Sequence, residues 1–150
     1  MLKAIDIMTN EPITLTSDTD ISTAVKTLLE NRINGVPVVD DGKVVGVLTQ
    51  TDLVAQQKKL SLPSFFTLLD GVFPLASLAE LDTEMQKITA LTVNDAMTKP
   101  AVTVSPDTGL DELAAVMSDK KLYTLPVVDG DVLVGVVGKE DVLGTLIAKE

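Results

Sequence analysis

The side chains that could do covalent or acid–base chemistry are few in kind. Among 150 residues there is no cysteine and no histidine. That excludes thiol nucleophiles, thiolate metal sites and disulfides, and with them Cys-His and Ser-His-Asp catalysis. The 22 acidic residues would suffice in type for acid–base or magnesium chemistry. They form no clustered carboxylate motif, however, and the chain carries no phosphate loop of the GxxxxGK[ST] kind. Neither a catalytic residue nor a metal ligand set is expected, and the chain reads as a non-enzyme. Thr49 and Asp52 stand three residues apart where an apolar run gives way to a helical stretch. A hydroxyl and a carboxylate at that spacing can cap a helix. The formal net charge of −10 repels a polyphosphate backbone, so no nucleic-acid partner is expected. A single small anion is less constrained, because local lysines and oriented backbone amides can hold it.

The elements that must position these groups are read from the apolar pattern. Hydrophobic residues make up 45% and aromatics only 3%, so the core must be aliphatic. No run reaches the ~18–20 apolar residues of a membrane span and the N-terminus has no signal core, which predicts a cytoplasmic protein with no membrane partner. Shifted by 89 residues, positions 5–54 align with 94–143 without a gap, and 14 of the 50 pairs are identical. Pro37-Val38-Val39-Asp40 matches Pro126-Val127-Val128-Asp129, and Val45-Gly46-Val47 matches Val134-Gly135-Val136. Two copies of one unit are expected, repeat one in 1–54 and repeat two in 93–150, separated by an insert at 55–92. Each unit reads β-α-β-β-α. Residues 13–16 and 102–105 alternate as strands. Ser17-Asp18 and Pro106-Asp107 carry helix-start signals. Asp41-Gly42 and Gly130-Asp131 read as hairpin turns. The fold class is therefore α/β (α+β), with two repeats packed in pseudo-twofold symmetry and a cleft between them, a common place for ligands.

The strings Asp6-Ile7-Met8-Thr9, Gly35-Val36-Pro37-Val38-Val39-Asp40 and Gly46-Val47-Leu48-Thr49-Gln50-Thr51-Asp52 recur in register as Asp95-Ala96-Met97-Thr98, Leu125-Pro126-Val127-Val128-Asp129 and Gly135 to Asp141. Together they resemble the tandem CBS (cystathionine β-synthase) domain pair, also called a Bateman module. The resemblance implies a regulatory module binding an adenosine-containing ligand (AMP, ADP, ATP or another adenosyl compound) between the repeats, with no cofactor required. It implies composite clefts, in which a Thr or Ser hydroxyl and an Asp from one repeat face a base cradle from the other. Carried over, cleft one joins Thr49 and Asp52 to Thr103, Val104, Ser105, Tyr123, Thr124 and Leu125. Cleft two joins Gly138 and Asp141 to Thr14, Leu15, Thr16, Asn34, Gly35 and Val36. Gly138 stands where the hydroxyl should be, so cleft two is expected to be weaker unless Lys139 compensates. Tyr123, the one tyrosine, is placed to stack on a base in cleft one. The resemblance further implies a homodimer and a regulated protein partner.

The insert holds all three phenylalanines, Phe65, Phe66 and Phe73. Residues 62–71 read as a short helix with Pro63 near its start and Gly71 at its end. An alternative function follows from this segment: a ligand-independent interaction or dimerisation module acting through the apolar insert.

Overall fold

The computed structural model describes residues 1–60 and 91–147. The helix expected at 62–71 and the phenylalanine cluster lie outside the described residues. In chain order the elements are α1 (Ala4–Ile7), β1 (Thr9–Asn10), α2 (Ile21–Asn31), β2 (Gly35–Asp40), β3 (Lys43–Thr49), α3 (Gln50–Leu60), α4 (Val93–Ala96), α5 (Leu110–Lys120), β4 (Thr124–Asp129), β5 (Val132–Gly138) and α6 (Lys139–Gly144). The offset of 89 residues maps α1 onto α4, α2 onto α5, β2 onto β4 and β3 onto β5, residue for residue.

Valine-rich stretches suit a pleated, half-buried surface, and each pairs with its neighbour through a two-residue turn. β2 pairs antiparallel with β3, and β4 with β5. Asp41 and Gly42 both have positive φ, 53° and 81°, as a type I′ turn requires. In the other hairpin Gly130 alone is positive, at 70°. The two hairpins join where Lys43 of β3 pairs with Val132 of β5. Ile21, Ala24, Val25 and Leu28 form the buried stripe of α2, and Leu113 and Met117 that of α5.

Two local expectations are corrected. Residues 13–16 and 102–105 are not strands. Each makes a single parallel bridge, Leu15 to Val38 and Val104 to Val127. The helices also start later than Ser17-Asp18 and Pro106-Asp107 suggested. The Thr19 and Thr108 hydroxyls first close turns, accepting from the backbone N–H of Thr16 at 3.2 Å and of Ser105 at 3.0 Å. α2 then begins behind Asp20, whose carboxylate accepts from the Thr23 N–H at 2.7 Å. Pro37 lies inside β2. The bridge beside it uses the Pro37 carbonyl and the Val39 N–H, so the missing donor leaves nothing unpaired there.

The leading segments cross over. Val93, from repeat two, is fully buried in the core of Ile21, Val25, Leu28 and Leu48, while Ala4, from repeat one, is fully buried with Leu113, Leu125 and Val137. The Ala4 N–H donates to the Thr108 carbonyl at 2.8 Å, and the Val93 N–H to that of Thr19 at 2.8 Å. β1 pairs with β5, and Thr98 bridges Val47 of β3. Each repeat therefore lends its first helix and the residues after it to the other. No described helix is long and apolar enough to cross a membrane.

Candidate functional site

Four helices open on the same device. At α1, α3, α4 and α6 an aspartate in the first turn accepts from the backbone N–H three residues before it: Lys3 to Asp6 at 2.9 Å, Thr49 to Asp52 at 3.0 Å, Thr92 to Asp95 at 2.8 Å and Gly138 to Asp141 at 2.7 Å. A carboxylate there satisfies an otherwise orphaned donor and meets the positive end of the peptide dipoles. At α3 the device is reciprocal, since the Thr49 hydroxyl also accepts from the Asp52 N–H at 3.1 Å. At α6 Gly138 can return no such bond. The repeated aspartates thus have an architectural duty wherever they occur.

What sets Asp52 apart is its surroundings. Thr49 and Asp52 line a cavity of about 370 Å³ between the repeats, together with Asn34, Gln50 and Thr51 from repeat one. Repeat two supplies Thr98, Pro100, Ala101, Val102, Lys121, Leu122, Tyr123, Thr124 and Lys139. The Thr98 hydroxyl donates to the second oxygen of Asp52 at 2.9 Å, a bond between groups 46 residues apart. Tyr123, in the lining, is 43% exposed. The Lys139 ammonium lies 5.3 Å from the Tyr123 centroid, close enough for a cation–π contact. The opening strands of the two hairpins approach at Gly35 and Thr124, where a Cβ on Gly35 would stand 2.7 Å from Thr124 Oγ1. Only glycine lets them come this close.

The structure brings together Thr49, Asp52, Tyr123 and Thr124 of the residues expected in cleft one. The others lie elsewhere. Val104 and Leu125 are core residues, while Thr103 and Ser105 are exposed. The preceding residues 100–102 line the cavity instead, while Val104 is committed to its bridge with Val127.

The residues expected in cleft two are placed as follows. Leu15 and Val36 are buried in the core of repeat one, Thr14 and Thr16 are exposed, and Gly35 packs against Thr124. Asn34 and Lys139 both line cavity one. Asp141 lines a second, more open hollow with Asp6, Asp111 and Glu140. Sequence reasoning missed Thr98, Pro100, Ala101, Val102, Lys121 and Leu122 as cavity residues. Thr98 was legible as half of the Thr9–Thr98 repeat match, but not its reach to Asp52.

A family profile described as the CBS domain matches residues 4–59 and 93–148. Among curated proteins, an uncharacterized protein of Methanocaldococcus jannaschii is 31% identical over 153 residues, covering 95% of this chain and 89% of that protein. An L-aspartate semialdehyde sulfurtransferase of the same organism is 30% identical, but the chain spans only 22% of its length. Among solved structures, the Arabidopsis thaliana protein CBSX2 in complex with AMP has a TM-score of 0.75 at 26% identity, covering all of both chains. The CBS domain pair of protein MJ0100, in complex with 5′-methylthioadenosine and S-adenosyl-L-methionine, has a TM-score of 0.72 at 28% identity, covering 100% of this chain and 99% of that one.

Proposed function

Since the chain belongs to the CBS domain family, as a tandem pair, we propose that it is a regulatory module rather than an enzyme, binding an adenosine-containing ligand of the AMP, ADP or ATP kind in cavity one. The observation that carries this reading is composition by both repeats: Thr49 and Asp52 on one wall face Tyr123, Thr124 and Lys139 on the other. The Asp52 carboxylate has lone pairs left for the two hydroxyls of a ribose, even while it holds Thr49 and Thr98. The start of α3 and the Thr49 hydroxyl suit a phosphate. Residues 100–102 and Tyr123 offer an apolar and aromatic bed for a base. An occupant touching both walls binds best at one relative placement of the repeats, and that preference is what regulation needs. The crossed leading segments are the parts able to carry such a change. The proposal includes a homodimer, for which the exposed apolar Leu143, Leu146 and Ile147 speak; sedimentation equilibrium tests it.

Thermal unfolding against AMP, ADP, ATP, S-adenosylmethionine and NAD tests the site. A ligand at 100 times its Kd should add about 2.7 kcal/mol, a shift of several degrees. The shift is expected to vanish in Asp52→Ala. No shift with any of these compounds would overturn the reading.

A further inference from the structure

This inference rests on the adenosyl site just proposed and concerns what the ligand must carry at its far end. Three charged residues line cavity one: Asp52, Lys121 and Lys139. Asp52 is engaged by Thr49 and Thr98. The ion pairs among the described residues, Lys3 with Asp107 and Lys43 with Asp131, lie elsewhere. Among the described residues neither cavity lysine has a carboxylate partner, in a chain with 22 acids and a net charge of −10. The Lys139 ammonium rests instead over the Tyr123 ring, a contact that neutralises no charge. The second hollow has the opposite character, with Asp6, Asp111, Glu140 and Asp141 and no lysine or arginine in its lining. An anion is therefore drawn to one cavity and repelled from the other.

We infer that Lys121 and Lys139 make cavity one selective for a phosphorylated adenosyl ligand over one with the same base and ribose but an uncharged or cationic tail. A phosphate has oxygens enough to accept from more than one ammonium. A sulfonium tail would meet two like charges. Asp52 reads the ribose in either case, and the Thr49 hydroxyl and the start of α3 carry no net charge, so the charge-dependent part of the discrimination falls to the lysines.

Calorimetric titration of the full chain with AMP, 5′-methylthioadenosine and S-adenosylmethionine tests this. AMP should bind at least about 10-fold more tightly than methylthioadenosine. Added salt should weaken AMP binding and leave methylthioadenosine unchanged. In Lys121→Gln/Lys139→Gln the AMP advantage should largely disappear while methylthioadenosine affinity holds, and Lys139→Arg should keep most of the advantage. Both lysines are exposed, so the variants should fold, and an unchanged Tm without ligand checks it. Methylthioadenosine or S-adenosylmethionine binding as tightly as AMP to the unaltered chain would overturn the inference and leave the adenosyl site standing. So would an equal loss of AMP and methylthioadenosine in the double variant. Failure of all three compounds to bind would instead overturn the adenosyl site itself, and the inference with it.

Discussion

On the proposed reading Asp52 serves the architecture and the adenosyl site with the same carboxylate, and the two duties can be separated by substitution. As the first-turn acceptor it holds the Thr49 N–H at 3.0 Å, a task an amide oxygen also performs. Reading a ribose needs both oxygens as acceptors, which an amide does not offer. Asp52→Asn should therefore keep stability within about 1 kcal/mol while weakening AMP by roughly 10–100-fold. Asp141→Asn should leave AMP binding unchanged. Parallel calorimetry and thermal melts check both, and equal effects at the two positions would sink the assignment to cavity one. The glycines make a second contrast. A Cβ on Gly138 meets nothing nearer than 3.7 Å, whereas on Gly35 it meets Thr124 Oγ1 at 2.7 Å. Gly138→Thr should thus be tolerated and gain a few tenths of a kcal/mol by completing the cap. Gly35→Ala should cost about 1–3 kcal/mol and push Thr124 into the cavity. Melting temperatures of the two variants moving the same way would contradict this.

At the scale of elements the repeats differ where one hydroxyl is present or missing. Asp40, at the end of β2, accepts from the Ser17 hydroxyl at 2.6 Å and the Ser17 N–H at 3.1 Å. These bonds hold its carboxyl below the usual carboxylate range. Asp129 is the copy of Asp40, but Pro106 replaces Ser17 and has neither donor. Asp20 is likewise held low, first by its bonds to Thr23. For both groups the folded chain binds the proton less readily than the unfolded one. Their stabilisation is full above the unfolded value of about 3.9 and disappears as pH falls below it, through the lower folded values. Ser17→Ala and Asp20→Asn should each flatten the loss of Tm between about pH 5 and pH 3, with little change in slope above pH 5. A slope unchanged from the unaltered chain would show that other carboxylates govern acid unfolding. These bonds also mark what was legible in the sequence. The repeat, the hairpins and the helical stripes follow from local periodicity and turn residues, so they could be read. The single bridges at Leu15 and Val104 could not, because period-two alternation looks the same whether one residue pairs or four. The place of residues 100–102 in the cavity lining was hidden for the same reason, since only the bridge fixes which residues are free to face the cavity. Thr49 and Asp52 could be read because their spacing is set by the start of their own helix.

For the whole molecule, the crossed segments mean that a repeat of sequence is not a unit of stability. Met8 sits against Gly135 of β5 and Met97 against Gly46 of β3, where a Cβ on Gly46 would stand 2.8 Å from Met97 Sδ. The glycine in each Val-Gly-Val string is thus a seat for a methionine from the other repeat, which explains why the two strings recur together. Ala4 and Val93 complete each other's cores in the same crossed sense. A ligand between the repeats then acts on a structure already tied at both ends, so occupancy in cavity one can be felt in both cores. Deleting residues 1–8 removes Ala4, Met8 and the N–H donors to the Thr108 and Pro106 carbonyls. The damage should appear in repeat two. Hydrogen exchange should speed up in α5 and β5 by more than in α2 and β3, with a stability loss of about 2 kcal/mol or more. Val93→Ala should do the reverse, costing about 2 kcal/mol and raising exchange in α2 and β3. If exchange rose only in the repeat that carries each change, the repeats would be independent folding units, and a signal from cavity one would need another route.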